Sequence, residues 1–243
     1  MKLRLDKYLC DALLIPRSDA RDAVRAGRVT VAGKSVRDPG EKVDPAWEIL
    51  FDGTATVYRE HRYLMMNKPA GVLSATEDGK DRTVLDLLPP QYRAAELFPA
   101  GRLDKDAEGL LLLTTDGDYC HRVISPKSDV KKRYYAVAEG LLTDRHVRAF
   151  AEGLHLGDGM DCLPGKLELL SVGAVSECIV TIREGKFHQV KRMLASCGAP
   201  VRYLRRLSIG NLFLDPSLAP GECRELTDEE RNAVFDDPAV TEK

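Results

Sequence analysis

No stretch of the 243-residue chain approaches the roughly 18 consecutive apolar residues that a membrane-spanning helix requires. The first residues, MKLRLDKYL, carry charges at positions 2, 4, 6 and 7, so they lack the apolar core of a secretory signal. Six cysteines, Cys10, Cys120, Cys162, Cys178, Cys197 and Cys223, lie far apart and form no C-x-x-C pair. That spacing argues against a zinc site and for reduced, mostly buried thiols. Internal repeats and low-complexity tracts are also missing, so the pattern is not that of a solenoid or a disordered linker. These absences lead to the expectation of a cytoplasmic protein with no metal site and no membrane partner.

What is present suits a packed chain, with 44% hydrophobic and 30% charged residues. The length allows one or two domains with a sizeable core. A net charge of -2 conceals a strong polarity. Residues 1–37 hold nine Lys/Arg against four Asp/Glu, and residues 183–206 hold seven against one. Residues 215–243 reverse the balance, with three basic and nine acidic. Two separated basic segments in a near-neutral chain suggest a local polyanion surface, with ordinary surface charge as the alternative.

Residues 3–28 read as two helices. Leu5, Leu9, Ala12 and Leu13 recur at helical spacing, Pro16 stops the first helix, and Ser18 is the expected N-cap of the second. Arg17, Arg21, Arg25 and Arg28 fall four, four and three apart, which lines four guanidiniums along one face. Such a face, beside the tight hairpin VTVAGKSV that turns at Gly33, suits RNA phosphates. A solvated face with pairs such as Arg25 and Asp22 is the alternative. Around residues 58–62 the pattern turns polar and charged, which places a domain boundary there. Residues 1–60 are then one domain with its linker, and residues 61–243 a second.

Beyond the boundary, residues 63–67, 110–113, 166–170, 178–182 and 201–209 read as strands, and another begins at Tyr134. Residues 83–88, 118–124, 143–153 and 226–235 read as helices. Phe187, Val190, Met193 and Leu194 form a stripe expected to anchor one more helix inward.

Residues 101–118 read GRLDKDAEGLLLLTTDGD, and the rest of the chain is organised around them. The run of four leucines is a buried strand, so the loop before it holds Arg102 and Asp104 against a rigid element. Asp104, Asp106, Glu108 and Gly109 also match positions one, three, five and six of a calcium loop. Position twelve of that pattern needs a bidentate Glu and is Thr115 here. On residues alone, a solvated acidic loop before a core strand is the alternative.

The motif GRLD, together with NKPAG at residues 67–71 and GKFHQVKRM at residues 185–193, resembles the pseudouridine synthases that modify ribosomal RNA. Residues 3–52, with RLDKYL, RSDARDAV and GRVTVAGKSV, resemble the S4 RNA-binding domain. The combination is similar to the ribosomal small-subunit subfamily. The resemblance implies an α+β fold: a small helical and hairpin S4 domain, then a catalytic domain on a mixed, mainly antiparallel sheet. It implies that Asp104 is the nucleophile, that Tyr134 packs on the target base, and that Lys191 pairs with Asp104, with Arg192 as the fallback. Arg102 is expected to fill the vacated stack or grip phosphate, and Lys186 and Arg192 to contact RNA. The NKPAG turn is expected to be largely architectural. Ala107 departs from the Thr or Ser common in the family, which removes a supporting hydroxyl.

The reaction so implied breaks the uracil N1–C1′ bond, turns the base and rejoins it through C5. Substrate and product are isomers, so no cofactor is expected. A carboxylate is a weak nucleophile that must be held ionised and oriented, and a neighbouring cation favours the ionised form. The expected substrate is one uridine of 16S ribosomal RNA, of the type numbered 516, folded or in a ribonucleoprotein particle. The protein is expected to act as a monomer. The alternatives are a synthase of the large-subunit sister subfamily and a non-catalytic S4 assembly factor, which would not need Asp104. Glycoside hydrolysis would require a second carboxylate across the substrate, from Asp106 or Glu108.

Overall fold

The computed structural model describes residues 2–237 apart from Ala94 and Asp158. Its first helix, Leu5–Leu13, buries Leu5, Tyr8 and Leu9 at helical spacing. Leu3 and Arg4, expected to be helical, instead pair antiparallel with Val43 and Lys42. The second helix is Arg17–Arg25. The Ser18 cap is corrected: the Ala20 N–H donates to the Pro16 carbonyl at 3.1 Å, so the helix already starts from Pro16. Proline suits a helix entry because its φ is fixed and it has no N–H to satisfy. Ser18 sits inside the first turn and donates to Asp19.

Val29–Val31 and Lys34–Val36 form the expected hairpin. Ala32 and Gly33 lie at φ 47° and 76°, the two positive angles of a type I′ turn. Ile49–Phe51 pairs with the other edge of Val29–Val31, and Thr54–Ala55 extends the sheet. Val29, Val31 and Ile49 pack with Leu5, Tyr8, Leu9, Ala20 and Val24 in one core. The unit that contains this core comprises Met1–Arg62 and Leu88–Leu97.

The other unit comprises Tyr63–Leu87 and Phe98–Lys243. Its sheet runs in the order Lys166–Ser171, Val175–Ile182, Lys132–Glu139, Val201–Ile209, Glu108–Thr114, Tyr63–Lys68, Cys223–Glu225. Among these neighbours only one pairing is parallel, where Arg205 and Arg206 lie opposite Glu108 and Gly109. Leu110 to Leu113 are all buried, as a strand covered on both faces requires. Leu110 and Leu112 join a core with Tyr119, Val123 and Ile209. A second core gathers Leu103, Ala107, Tyr134, Val180, Val190, Met193 and Leu194. The helix Gln189–Ser196 rests on that second core and leads into Val201–Ile209.

Helices Gly117–Ile124, Asp144–Glu152 and Asp228–Ala233 lie where helices were expected. The segment at residues 83–88 is only a 3-10 turn, Leu85–Leu87. No helix of the described residues is long and apolar enough to cross a membrane.

Candidate active site

The loop that carries Asp104 is tied down from both sides. Ser74 Oγ donates to the Leu103 carbonyl and accepts from the Leu103 N–H, both at 3.0 Å. Lys68 is fully buried, and its ammonium donates to the carbonyls of Pro69, Lys105 and Ala107 at 3.0, 3.3 and 2.8 Å. The Gly71 N–H donates to the Lys105 carbonyl at 2.7 Å, and the Ala107 N–H to the Asp104 carbonyl at 3.1 Å. The NKPAG turn is thereby tied to the loop at Lys105 and Ala107. Burial pulls the Lys68 pKa down to about 8, against the pull of Asp106, Asp104 and Glu108.

Asp104 is held at the edge of solvent, with its side chain 22% exposed. Lys191 Nζ lies 3.1 Å from one carboxylate oxygen, and His188 Nε2 lies 3.6 Å from the other. Lys191 also donates to Asp106 at 2.5 Å. Burial works against the Lys191 charge, but its bonds to Asp106 and Asp104 outweigh that and leave its pKa raised. The same bond to Lys191 lowers the pKa of Asp106. One cation thus serves two carboxylates, and the more exposed Asp106 competes with Asp104 for it.

A small cleft of about 60 Å³, open to solvent, lies beside Asp104. Its lining includes Arg102, Tyr134, Lys186, His188 and Leu204. Tyr134 is buried in the strand Lys132–Glu139, with Arg206 Nη1 at 3.5 Å from its hydroxyl and the guanidinium 6.0 Å from its ring centre. Arg206 is itself buried and donates to the Leu110 carbonyl at 2.7 Å. Lys132, buried nearby in the same strand as Tyr134, donates to the Val123 carbonyl, and burial followed by repulsion from Arg206 lowers its pKa to about 8. Tyr135, the alternating neighbour, points elsewhere and donates to Glu177 at 2.6 Å.

The third motif departs from expectation in one respect. Its helix begins at Gln189, so Phe187 precedes the helix and is 74% exposed. Val190, Met193 and Leu194 alone make the inward stripe. The buried Gln189 amide donates to Glu184 at 2.8 Å. Lys186 reaches Glu184 at 3.1 Å and the Asp161 carbonyl. Arg192, the fallback partner of Asp104, instead donates to the Phe187 carbonyl at 3.2 Å and approaches the Met160 sulfur. Glu108 accepts from Tyr203 at 2.7 Å.

In the other unit the four-arginine face divides. Asp6 is fully buried and accepts from Arg4 at 3.1 and 2.9 Å, from Arg17 at 3.2 Å and from Arg21 at 3.1 Å. Those bonds, Arg4 first, hold its carboxyl well below the usual range although burial opposes them. Arg25 pairs with Asp22, and Arg28 with Asp52. Sequence reasoning passed over Asp6, Ser74, His188 and Arg206. His188 stood inside a motif already singled out, whereas nothing in the sequence links Ser74 to Leu103 across 29 positions. Among the described residues no group of three His, Cys, Asp or Glu is placed to hold a metal.

A carboxylate paired with a lysine, on a tethered loop beside a cleft with a tyrosine wall, accords with what sequence comparison shows. Residues 62–196 match the RNA pseudouridylate synthase family and residues 3–49 match the S4 domain. The chain belongs to the RNA pseudouridylate synthase family and is an isomerase.

Its relatives narrow the group. A Bacillus subtilis (strain 168) protein named as an uncharacterized RNA pseudouridine synthase is 46% identical over 94% of this chain and 96% of its own. The Escherichia coli (strain K12) ribosomal small subunit pseudouridine synthase A is 40% identical over 96% of this chain and all of its own. A crystal structure of a pseudouridylate synthase, 36% identical, covers 96% of this chain and 99% of its own with a TM-score of 0.66.

Proposed function

We propose that this protein converts one uridine of 16S ribosomal RNA, of the type numbered 516, to pseudouridine in the cytoplasm, with Asp104 as the nucleophile. The observation that carries the reading is the ion pair of Asp104 and Lys191 at 3.1 Å on the tethered loop beside the cleft. The near full-length similarity to small-subunit synthases of Escherichia coli and Vibrio cholerae, at 40% and 41% identity, supports that RNA as substrate.

The target base leaves its stack, at a cost of a few kcal/mol, and enters the cleft, where Tyr134 offers a ring face. Asp104, oriented by its ion pair with Lys191, attacks C1′ or removes a sugar proton, and the N1–C1′ bond breaks. The freed uracil turns within the cleft and C5 bonds to C1′, while on the first route the Asp104–C1′ bond breaks and on the second Asp104 returns the sugar proton. C5 then loses its proton and N1 gains one, so atoms balance without a co-reactant. Arg102 and Lys186 line the cleft where phosphates flanking the target would run.

The test is to map pseudouridines across both ribosomal RNAs, with and without the gene, by carbodiimide modification and primer extension. A single small-subunit signal should vanish, return with the wild type, and stay absent with Asp104→Asn, whose rate should fall by at least about a thousandfold. A lost large-subunit signal would move the substrate to the other subunit. No lost signal, or turnover by Asp104→Asn within about tenfold of wild type, would overturn the proposal.

A further inference from the structure

Phe187 is among the most exposed large apolar side chains of the described residues, yet it stands one ring away from the candidate nucleophile. Its ring stacks on that of His188, with centres 3.8 Å apart and planes 18° from parallel. The edge of His188 bearing Nε2 is in turn 3.6 Å from Asp104. His188 adopts φ 49° and ψ 33°, a left-handed conformation uncommon outside glycine. The surroundings hold it there. The Lys186 N–H donates to the Gln189 side chain at 3.0 Å, the Gln189 N–H to the Lys186 carbonyl at 3.1 Å, and the Arg192 N–H to the His188 carbonyl at 3.0 Å. Arg192 also grips the Phe187 carbonyl. Maintained backbone strain of this kind clusters at functional sites. Here it lays one ring on another and leaves Phe187 largely in water.

We propose that Phe187 is the stacking platform for the base adjacent to the target uridine, with His188 as the positioning residue that fixes the platform beside Asp104. This rests on the reading of the site as an RNA pseudouridine synthase centre. When the target base enters the cleft, its neighbour on the strand loses a stacking partner within about one base step. An exposed aromatic ring stacked on His188, which lines the cleft, replaces that partner without regard to base identity. The segment suits this occupant: Phe187 lies in a stretch with seven basic residues and one acidic, of which Lys186 pairs with Glu184 and Lys191 with Asp104 and Asp106. A polyanion with stackable rings meets both the charge and the lone aromatic face, whereas an apolar protein surface would meet only the second.

The test places the chain's one tryptophan at the platform, Phe187→Trp in a Trp47→Phe background, and titrates it with a 16S ribosomal RNA transcript. Tryptophan emission should be quenched on binding. Phe187→Ala should weaken binding of the same transcript about five- to 150-fold, the range of one base–aromatic stack. Its KM should rise more than its kcat falls, and Phe187→Tyr should restore both. Unquenched emission with undiminished affinity of Phe187→Ala, in a protein that still forms pseudouridine, overturns the stack alone. Loss of affinity only for protein-bound particles and not for the bare transcript also overturns it, because the occupant is then a protein. A wild type that forms no pseudouridine in either ribosomal RNA overturns the activity instead, and the quench then decides the stack separately.

Discussion

Lys68 is a fully buried cation with no carboxylate among its hydrogen-bond partners, and its three bonds all go to backbone carbonyls of the two turns it joins. Its pKa of about 8 lies below the ordinary 10.5. Between those values the unfolded chain holds a proton that the folded chain has released. From this group, stability therefore rises with pH across that window. The stability of the wild type relative to Lys68→Met should increase from pH 8 to 10.5, as chemical unfolding of the two in parallel would show; a constant or shrinking difference refutes it. Below pH 8, Lys68→Met should still be destabilised, since three buried carbonyls lose their donor at about 1–3 kcal/mol for an unmet group. At this scale the sequence was legible where a motif fixes both residue and partner, as with Asp104 and Lys191. Ser74, His188 and the sharing of Lys191 with Asp106 depend on side chains meeting across loops, and no local pattern encodes them.

Strands and helices were mostly legible because their burial follows from period and capping, as in the leucine run of Glu108–Thr114. Which strand lies beside which was not. The parallel seam between Glu108–Thr114 and Val201–Ile209 joins segments about a hundred residues apart, and it is what brings the Asp104 loop to the strand that follows the Lys191 helix. Gly109 makes the seam possible. It sits at φ 101°, and a β-carbon there would meet the Arg206 carbonyl oxygen at 2.3 Å and the Arg206 nitrogen at 2.8 Å. Both obstacles are backbone, so neither can swing aside. Gly109→Ala should cost at least about 3 kcal/mol and depress activity with it. Gly117, which begins a helix with nothing within 4 Å of its missing β-carbon, is the control. Gly117→Ala should change stability by less than about 1 kcal/mol. Denaturant melts of both variants check the pair, and equal effects would mean that the seam tolerates a side chain. Phe187 shows the opposite limit of pattern reading: its spacing fits the apolar stripe, but the helix starts two residues later, so the periodicity does not apply to it.

For the whole molecule, charge is divided between a unit whose fold is that of an RNA-binding module and a unit that bears the cleft. The structure separates the charges on the first by their ion-pair partners. Arg4, Arg17 and Arg21 share the single carboxylate of Asp6, and their side chains stay 45–48% exposed. That cluster carries a net excess of positive charge on a buried anchor. Arg25 with Asp22 and Arg28 with Asp52 are exposed one-to-one pairs, locally neutral and of small energetic weight. The four equivalent arginines suggested by spacing therefore separate into a positive cluster and two neutral pairs. Binding to phosphates releases counterions, so each lost contact lowers the salt slope by about 0.7–0.9 units. Arg17→Ala with Arg21→Ala should lower the slope of log affinity against log salt by about 1.5 units and weaken binding. Arg4 stays on Asp6 in that variant, which protects the fold. Arg25→Ala with Arg28→Ala should change the slope by less than half as much. The rate at saturating RNA should survive both double substitutions, because Asp104 and Lys191 belong to the other unit. Filter binding of a 16S transcript across a salt series, with single-turnover assays alongside, measures both quantities. Equal slopes for the two variants would mean that the cluster on Asp6 has no privileged role, and a collapse of the saturated rate would mean that the first unit does more than bind.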